Sequence, residues 1–552
     1  MSNFALILLA PFTALVAVHI TNKDNAPAAN IQQLKINNTV SCIPDRNTIS
    51  LLLADAGDIP IMPGSGKYVW KINTKSDSAQ LYFNQGINMY YGFHIIEATA
   101  SFKKAAALDP SNPMIWWAQS LAAGPNINDI GYAASPEALE TTAKAVELSG
   151  NASDVEKALI KAMSVRYSAD STKTREELNQ AYVDAMRNVH LQFPGNTDVT
   201  ALYADAMMLQ HPWDLWEPNG TPRPWEPLIQ STLEKALKLD PAHPGANHYY
   251  IHVMEPSPTP GKATASANIL GTITPGLAHM VHMPSHIYLR TGSFNTGVEN
   301  NKAAIKTFKE YAEIFPASTG NVFIYYWHNL HMLANSAMLA GNYNDAINSA
   351  NELRQALDTA SLSSPAPIGS YLYYMYMTPM FINIQFEKWD SVLQVAKPDE
   401  RYIYANILYH FGQGMARASK KQIEEAKKHA AEIKELMKDS SLHLRMMPFS
   451  PVADGADVAL ELLNGSIALH TNNNSGAIEH FKTAAVKEWN ITYNEPRDWM
   501  LNPYQYLGNA YLHAKDYKKA EQAFQKDLQR NAKNVWSQKG LDTSIRMQKR
   551  KK

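Results

Sequence analysis

Seven of the chain's 18 histidines lie between His248 and His331. Most neighbours within this set are three or four residues apart, a spacing that places two side chains on one face of an α-helix. Two imidazoles one helical turn apart can chelate a single metal ion. The sequence therefore predicts a transition-metal site here. A metal-free polar or catalytic pocket and ordinary interior packing are the alternatives.

The first histidine pair lies on a short segment bounded by prolines. Pro244 suits the start of a helix, and Pro256 disfavours helical backbone at the residue before it. On the helix between them, His248 and His252 are one turn apart, and Glu255 returns to the same stripe. We predict that both imidazoles are metal ligands and that Glu255 is a third ligand or a proton acceptor.

The second group contains three histidines, His279, His282 and His286, at spacings of three and four. A continuous helix would place all three on one face, but Pro284 removes a backbone donor and clashes with the preceding turn. Either the helix kinks at this proline or a new helix begins there. We predict all three imidazoles to be metal ligands.

The third group, His328 and His331, supplies possible additional ligands. The two residues are three apart, on what the repeat pattern described below indicates is the first helix of the next unit. Equivalent faces of successive helices in a helical repeat array line one concave wall. The three histidine-bearing segments could therefore converge.

Three side chains are candidates for proton transfer beside such a site: Glu255, Tyr288 and Glu495. Glu495 belongs to the polar segment Tyr493-Asn-Glu-Pro-Arg-Asp-Trp499, in which Arg497 could clamp an anion. A simple connection leading into the next helix is the alternative for this segment.

Imidazole and carboxylate ligands suit copper, zinc and iron alike, so we predict a divalent transition metal without assigning it. The lone Cys42 excludes a thiolate zinc ribbon and an iron–sulfur site. Phosphate-binding glycine loops and the serine-hydrolase elbow are both missing from the sequence. Metal-assisted hydrolysis or redox chemistry is the expected activity, and whether the chain is an enzyme is left open.

The elements that must position these residues follow a repeat. Gly86, Ala98, Phe102 and Ala105 lie at spacings of 12, 4 and 3. The same frame recurs at other places, among them Gly465, Ala477, Phe481 and Ala484, and Gly508, Ala520 and Phe524. It fits the tetratricopeptide (TPR) repeat of about 34 residues, in which a small residue lets two helices approach and an aromatic side chain fills the gap.

The pattern predicts an all-α, TPR-like α-solenoid over residues 80–545, with stacked helix pairs wound into a superhelix. Two segments break the period and are predicted to be irregular insertions. Residues 211–227 are rich in tryptophan and proline, and residues 255–276 contain several prolines. Insertions in repeat proteins tend to project from one face, which is often the functional face.

Five segments resemble a family of bacterial, often exported TPR proteins. They are GINMYYGFHIIEATASFKKAAALDP, HPGANHYYIHVMEPSP, HMVHMPSHIYLRTG, HNLHML and YNEPRDW. The resemblance implies the helical repeat fold. It supplies no catalytic roles, because the family has no settled reaction.

The ends of the chain differ from the repeat region. Residues 1–20 contain an apolar run of signal-peptide length, residues 21–79 form a polar, flexible lead-in, and residues 546–552 are a basic tail. We predict a secreted or periplasmic protein, with a cytoplasmic location as the alternative. No later apolar run reaches membrane length, so no stable membrane span is expected in the mature chain.

Charge and composition limit the partners. The 50 Lys and Arg residues nearly balance 51 Asp and Glu, which gives no basic footprint for nucleic acid. We expect a small-molecule or peptide ligand on the concave face, and the oligomeric state is left open. The predicted function is an exported TPR protein with a histidine-rich metal site. The alternative is a non-enzymatic protein- or peptide-binding scaffold with a metal-free polar groove.

Overall fold

The structure of the protein, a computed structural model, describes residues 5–7, 16–18, 59–128, 136–316 and 323–550. Near the N-terminus two short antiparallel strands pair, β1 (Ala5–Ile7) with β2 (Val16–Val18). Most of the predicted signal peptide and lead-in lies outside the described residues, so export stays a prediction.

From Asp77 onward the described chain is a succession of helices. Their bounds are α1 Asp77–Tyr91, α2 Ile95–Leu108, α3 Pro113–Ala122, α4 Pro136–Leu148, α5 Asp154–Met163, α6 Arg175–Gln192, α7 Thr197–Gln210, α8 Glu226–Leu239, α9 Pro244–Met254, α10 Thr264–Ile273, α11 Ala278–His282, α12 Pro284–Thr291, α13 Phe294–Ile314, α14 His328–Leu339, α15 Tyr343–Ala356, α16 Thr359–Leu362, α17 Ile368–Tyr376, α18 Thr378–Gln385, α19 Trp389–Leu393, α20 Ile403–Ser419, α21 Ile423–Leu436, α22 Val452–His470, α23 Asn474–Trp489, α24 Pro503–His513, α25 Tyr517–Arg530 and α26 Val535–Arg550. Short 3₁₀ turns cover Ser149–Asn151, Pro260–Ala263 and Ser440–His443, and a π turn covers Phe323–Trp327.

The predicted all-α solenoid is confirmed, because consecutive helices pack as pairs and the pairs pack on their neighbours. The repeated glycine and aromatic positions explain how closely the helices pack. A Cβ atom on Gly465 would lie 2.5 Å from Cε1 of Phe481, and one on Gly508 would lie 2.5 Å from Cε1 of Phe524. Gly86 faces Phe102 in the same way. Each aromatic ring therefore fills the space that the missing side chain leaves.

The turns inside the pairs share one backbone conformation. Each has a residue with positive φ, followed by an amide that donates to the carbonyl five residues earlier, the arrangement that ends many α-helices. The positive-φ residues at these turns are Phe93, Gly292, Gly341, Glu387, Lys421, Asn472 and Lys515. Glycine adopts this backbone freely, so the non-glycine members are held there by the packing of the pair.

The segment 211–227 departs from the repeat, and tryptophans attach it to the solenoid. The indole N–H of Trp216 donates to the carbonyl of Val253 at 2.8 Å. The ring of Trp225 stacks on His211 with centroids 3.6 Å apart. Because Trp216 bonds to α9, the insertion covers the helix that carries the first histidine pair.

Three predicted boundaries differ from the structure. The segment 255–276, predicted to be irregular, contains helix α10, because the proline-free run after Pro260 buries Ala267 and Leu270. The predicted basic tail, residues 546–552, continues helix α26 as far as Arg550. The solenoid begins at Asp77, where Ser76 caps the first helix, rather than at residue 80.

The C-terminal pairs return to contact the middle of the chain. The hydroxyl of Tyr493 donates to Glu255 Oε2 at 2.9 Å, and Nη1 of Arg290 donates to the carbonyl of Arg530 at 2.8 Å. Nη2 of Arg530 also donates to the carbonyl of Pro218 at 3.2 Å. These contacts close the superhelix around its interior. Among the described residues, none of the helices is both long enough and apolar enough to cross a membrane.

We expect Gly465→Ala to destabilise the fold, because the added methyl group overlaps the ring of Phe481. Overpacking of this kind costs about 1–3 kcal/mol, against a gain of about 0.5–1 kcal/mol in helix propensity. Thermal unfolding followed by circular dichroism should show a lower midpoint. Gly150→Ala is the matched control, because a Cβ there meets nothing within 4 Å. An unchanged midpoint for Gly465→Ala would show that the packing adjusts.

Candidate metal centre

Six of the seven predicted histidines converge in the interior of the superhelix, on helices α9, α11, α12 and α14. They form two groups of three, His248/His252/His279 and His282/His286/His328. Within each group, one ring nitrogen of every member lies within 4.8 Å of the others. Below, these are called the first and second triads.

The triads do not follow the grouping in the sequence. His279 joins the pair on α9, while His282 and His286 join His328 from α14. The helix is interrupted inside the second sequence group, because α11 ends at His282 and α12 begins at Pro284. The division between the triads falls earlier, between His279 and His282, which both lie on α11. The proline therefore starts a new helix, one of the two outcomes that the sequence allowed.

Ligand-type nitrogens face one another at short range in both triads. In the first triad, Nε2 of His248 lies 3.0 Å from Nε2 of His252 and 3.2 Å from Nε2 of His279. In the second, Nε2 of His286 lies 2.7 Å from Nε2 of His282 and 3.5 Å from Nε2 of His328. Each imidazole presents Nε2 to the centre of its own triad.

The two triads lie side by side. The ring centroids of His252 and His286 are 6.3 Å apart, and those of His279 and His282 are 6.1 Å apart. The five histidines other than His328 are at most 3% exposed. The His328 side chain is 14% exposed and the nearby Glu495 side chain 11%, so the second triad has the more open edge.

The other ring nitrogen of two ligands faces an oxygen that can only accept. Nδ1 of His248 donates to the carbonyl of Tyr91 at 2.6 Å. Nδ1 of His282 lies 2.5 Å from Oδ1 of Asn301, whose amide nitrogen donates to the carbonyl of Gly297. Both imidazoles therefore carry their proton on Nδ1, as metal-binding histidines usually do.

Glu255 fixes one further histidine in each triad. Its Oε1 accepts from Nδ1 of His252 at 2.9 Å, and its Oε2 accepts from Nδ1 of His286 at 2.6 Å. Tyr493 donates to the same Oε2. Burial alone would raise the pKa of Glu255, but the interaction with His286 and the hydrogen bonds from both imidazoles hold that pKa well below its usual range. Glu255 is therefore a buried carboxylate that joins the two triads.

The four proton positions have a direct consequence for the centre. With the proton on Nδ1, the Nε2 atoms of His248, His252, His282 and His286 each present a lone pair. Two acceptors at 3.0 Å or 2.7 Å cannot hydrogen-bond to each other, so a shared proton or a metal ion must lie between them. Burial and the neighbouring imidazoles lower the pKa of His248 and His282 well below the ordinary value. The neutral imidazole is the form that binds metals.

Glu255 was predicted to be a third ligand or a proton acceptor, and the structure places it behind the ligands. Both of its oxygens face Nδ1 atoms, so it orients the imidazoles. His252, Glu255 and Glu495 also form a set within 4.8 Å. That set shares His252 with the first triad, and Glu495 Oε1 lies 3.5 Å from His286 Nδ1, so its carboxylates belong to the layer around the triads.

Of the other predicted residues, Glu495 lies beside the second triad, whereas Tyr288 and His331 belong to neither triad. Oε2 of Glu495 lies 3.7 Å from Nε2 of His328, at the open edge of the second triad. The hydroxyl of Tyr288 donates to Asn268 at 2.8 Å and is thereby directed to another helix. His331 lies outside both triads, with its ring edge-on to Tyr374 and with neither nitrogen hydrogen-bonded to a described residue.

Apolar rings that the sequence reasoning did not assign to the site cover the first triad. Phe93 has a φ of 59°, and its ring lies 4.4 Å from that of His248. Trp213, with a φ of 62°, packs edge-on against His252 at 5.2 Å. One feature of the sequence could have indicated Phe93. It occupies a turn position where positive φ favours glycine, and a bulky residue kept in such a conformation often serves a site.

Comparisons with known proteins were made at three levels. No protein-family model matches the chain, and no curated protein matches it. Among solved structures, Cut9 in the APC/C Cut9–Hcn1 hetero-tetramer is 13% identical, with a TM-score of 0.29 and coverage of 86% of this chain and 78% of that chain.

Two further solved structures are similar at the same level. The human IFIT1 dimer with m7Gppp-AAAA is 12% identical, with a TM-score of 0.34 and coverage of 88% and 94%. The P58(IPK) TPR domain is 11% identical, with a TM-score of 0.20 and coverage of 86% and 99%. These values carry no argument about ligands or activity. The TPR-like assignment therefore depends on the helix pairs and their glycine–aromatic contacts.

We expect Glu255→Gln to weaken metal binding by about 10–100-fold, the usual effect of removing the partner of a ligating histidine. A neutral amide cannot accept from both imidazoles as the carboxylate does. The affinity for Zn²⁺ would be measured by competition with a chelator.

Glu97→Gln is the matched control for this variant. Glu97 is also buried and contacts His94 Nδ1 at 3.2 Å, with the same spacing of three residues, and His94 belongs to neither triad. Equal Zn²⁺ affinity in wild type and Glu255→Gln would contradict the orienting role of Glu255.

Proposed function

We propose that this chain is a metalloprotein that holds two divalent transition-metal ions side by side, one in each histidine triad. The facing Nε2 lone pairs are the observation that supports this proposal. The four imidazoles that carry their proton on Nδ1 present unprotonated Nε2 atoms to two centres, and these lone pairs repel one another unless a cation lies between them. A metal ion in each triad converts that repulsion into coordination.

The nitrogen separations suit such ions. Zinc–imidazole bonds of about 2.0–2.1 Å in tetrahedral geometry separate the ligand nitrogens by about 3.3–3.4 Å. The separations between neighbouring nitrogens run from 2.7 to 3.5 Å. Shifts of a few tenths of an ångström, within the range of side-chain adjustment, bring each triad to coordination distance.

The number of protein ligands favours a reaction centre over a structural one. Structural zinc sites usually have four protein ligands, whereas catalytic sites have three and keep a position open for water or substrate. Each triad offers three. We infer that the pair of ions acts as the centre of a metal-assisted hydrolysis or redox reaction, with Glu495 at the open edge as the proton acceptor.

Metal identity is limited by the ligands. Neutral imidazoles suit copper, zinc and iron, whereas magnesium and calcium prefer oxygen ligands. Copper or iron would support redox chemistry, and zinc would support hydrolysis. The element found in the purified protein thus separates the two reaction classes.

The scaffold alternative is less compatible with the position of the histidines. A peptide-binding groove needs side chains that a partner can reach, and five of the six imidazoles are at most 3% exposed. A small molecule that enters by His328 and Glu495 fits this burial better than a peptide. We further propose that the protein acts outside the cytoplasm, an inference that rests on residues 1–20 alone.

Elemental analysis of protein purified without a nickel column and then reconstituted with metal tests the proposal. Wild type is expected to hold about two ions per chain, one for each triad of ligands. Because each triad then has only two ligands left, His279→Ala and His328→Ala should each reduce the content to about one ion. The double variant His248→Ala/His282→Ala should hold none.

The pair His410 and His429 supplies the matched control. Their Nδ1 atoms lie 2.8 Å apart, but among the described residues no third His, Cys, Asp or Glu completes a ligand set with them. His410→Ala/His429→Ala should therefore keep two ions. Substoichiometric metal in wild type, unchanged in His248→Ala/His282→Ala, would overturn the proposal.

A further inference from the structure

A second polar site lies against the metal centre, on the far side of Tyr493. Its lining residues come from α12, α14, the segment that follows α23, and the end of α25. We call it the arginine pocket and define it by the residues Arg290, Asn335, Arg497, Asn502, Arg530 and Asn531.

Positive charge exceeds negative charge around this pocket. Glu488 is the carboxylate that pairs with the arginines, at 3.4 Å from Nη1 of Arg497 and 3.3 Å from Nη1 of Arg530. The nearby Glu255 already accepts from two imidazoles and from Tyr493. Three guanidinium groups are thus accompanied by two carboxylates. Glu488 pairs with the arginines, and Glu255 is shared with the metal centre.

The pKa values of Arg290 and Arg530 are lowered, as expected where positive charges outnumber negative ones. Burial and, to a smaller extent, the neighbouring Arg497 lower the pKa of Arg290 to about 10. Burial also lowers the pKa of Arg530 to about 9, again with a contribution from Arg497. Burial raises the pKa of Asp527, which accepts from Asn531. An anion in the pocket would balance the excess.

Two of the three arginines supply charge but few free donors. Arg290 donates to the carbonyls of Glu255 and Ser257, in addition to that of Arg530. Arg530 donates to the carbonyls of Pro218 and Trp489 and to the carboxylate of Glu488. Both guanidinium groups are therefore held in place by the protein and contribute mainly their electric field.

The free donors belong to Arg497 and two amides. Arg497 lines the pocket and makes one long hydrogen bond, from Nη1 to Glu488. Asn335 is only 5% exposed and forms no hydrogen bond with any described residue. Asn502 accepts from Asn531 through Oδ1, which leaves its own N–H groups available. A buried pocket whose free groups are donors suits a carboxylate or phosphate oxygen.

The arginine pocket and the metal centre share two elements of the chain. On α14, Asn335 lies seven residues after His328, about 10 Å along the helix axis and on the same face. In the segment after α23, Tyr493 and Glu495 reach the metal centre, and Arg497 reaches the pocket.

We propose that the arginine pocket binds the anionic group, a carboxylate or a phosphate, of a small-molecule substrate whose other end reaches the metal ions. The second half of this statement rests on the proposed function, whereas anion binding itself does not. Arg497 is the main contact of the anion, with Asn335 and Asn502 as the neutral donors. Glu488 competes with the anion for Arg497.

Isothermal titration calorimetry with inorganic phosphate and with succinate tests the inference. The full-length His248→Ala/His282→Ala variant is used for the titrations, because phosphate can also bind directly to a metal ion. One saturable site is expected for at least one of the two anions, and the probe that binds more tightly shows whether the pocket prefers a phosphate or a carboxylate.

Variants of the pocket are then added to this background. Arg497→Gln removes the charged donor and should weaken anion binding by about tenfold or more. Asn335→Ala should weaken it by less, because a neutral donor is lost. Glu488→Gln should tighten it, because the competing carboxylate is gone. Arg401→Gln, which removes an exposed arginine paired only with Asp399, should leave the affinity unchanged.

Three results would overturn the inference: no saturable binding of either anion, equal affinity in Arg497→Gln and its parent, or an equal loss in Arg401→Gln. Circular dichroism confirms that each variant is folded. If Arg497→Gln does not fold, the affinity of Asn335→Ala decides whether the pocket binds the anion. Metal content is measured separately in Arg497→Gln with the histidines intact. Two ions per chain without anion binding would reject the pocket and leave the metal centre standing.

Discussion

The interior of this protein depends on one carboxylate. Glu255 is buried between two imidazoles of different triads, accepts from Nδ1 of His252 at 2.9 Å and of His286 at 2.6 Å, and thereby decides which nitrogen of each ring is free. A buried ionised group is stable only when its hydrogen bonds are satisfied, and Tyr493 supplies the third. Removing this carboxylate would release one ligand from each triad at once.

This arrangement requires the solenoid to close on itself. Tyr493 reaches Glu255 across 238 residues of sequence, and Arg290 reaches the carbonyl of Arg530 across 240. An open array of the same helix pairs would leave the Glu255 carboxylate short of a partner and the triads exposed to water. Ions bound in the triads would favour the closed form, because a ligand that binds only the folded arrangement stabilises it by mass action. A metal centre in the triads would therefore be coupled to the superhelical curvature.

Much of the fold and of the candidate site was predictable from the spacing of residues within single helices. The glycine–aromatic frame gave the helix pairs, and the spacing of four residues gave His248 with His252 and His282 with His286. The division of the ligands into triads was not predictable, because His279 and His328 meet those pairs across helix–helix contacts that no single-helix pattern describes. The same reason separates His328 from His331, which share a helix and differ in the neighbour that each faces. Glu255 lies on the predicted stripe, but its contact with Nδ1 rather than with a metal depends on the position of α12.

Charge balance links the centre to its surroundings. Two divalent ions held by six neutral imidazoles would add four positive charges to a buried site whose nearby carboxylates are Glu255 and Glu495. The three arginines on the far side of Tyr493 add more positive charge, and Glu488 offsets only part of it. Low-dielectric surroundings make such an excess unfavourable unless anions enter. An anionic group on Arg497 would reduce this excess. The electrostatic requirement of two ions in the triads would therefore favour a negatively charged substrate.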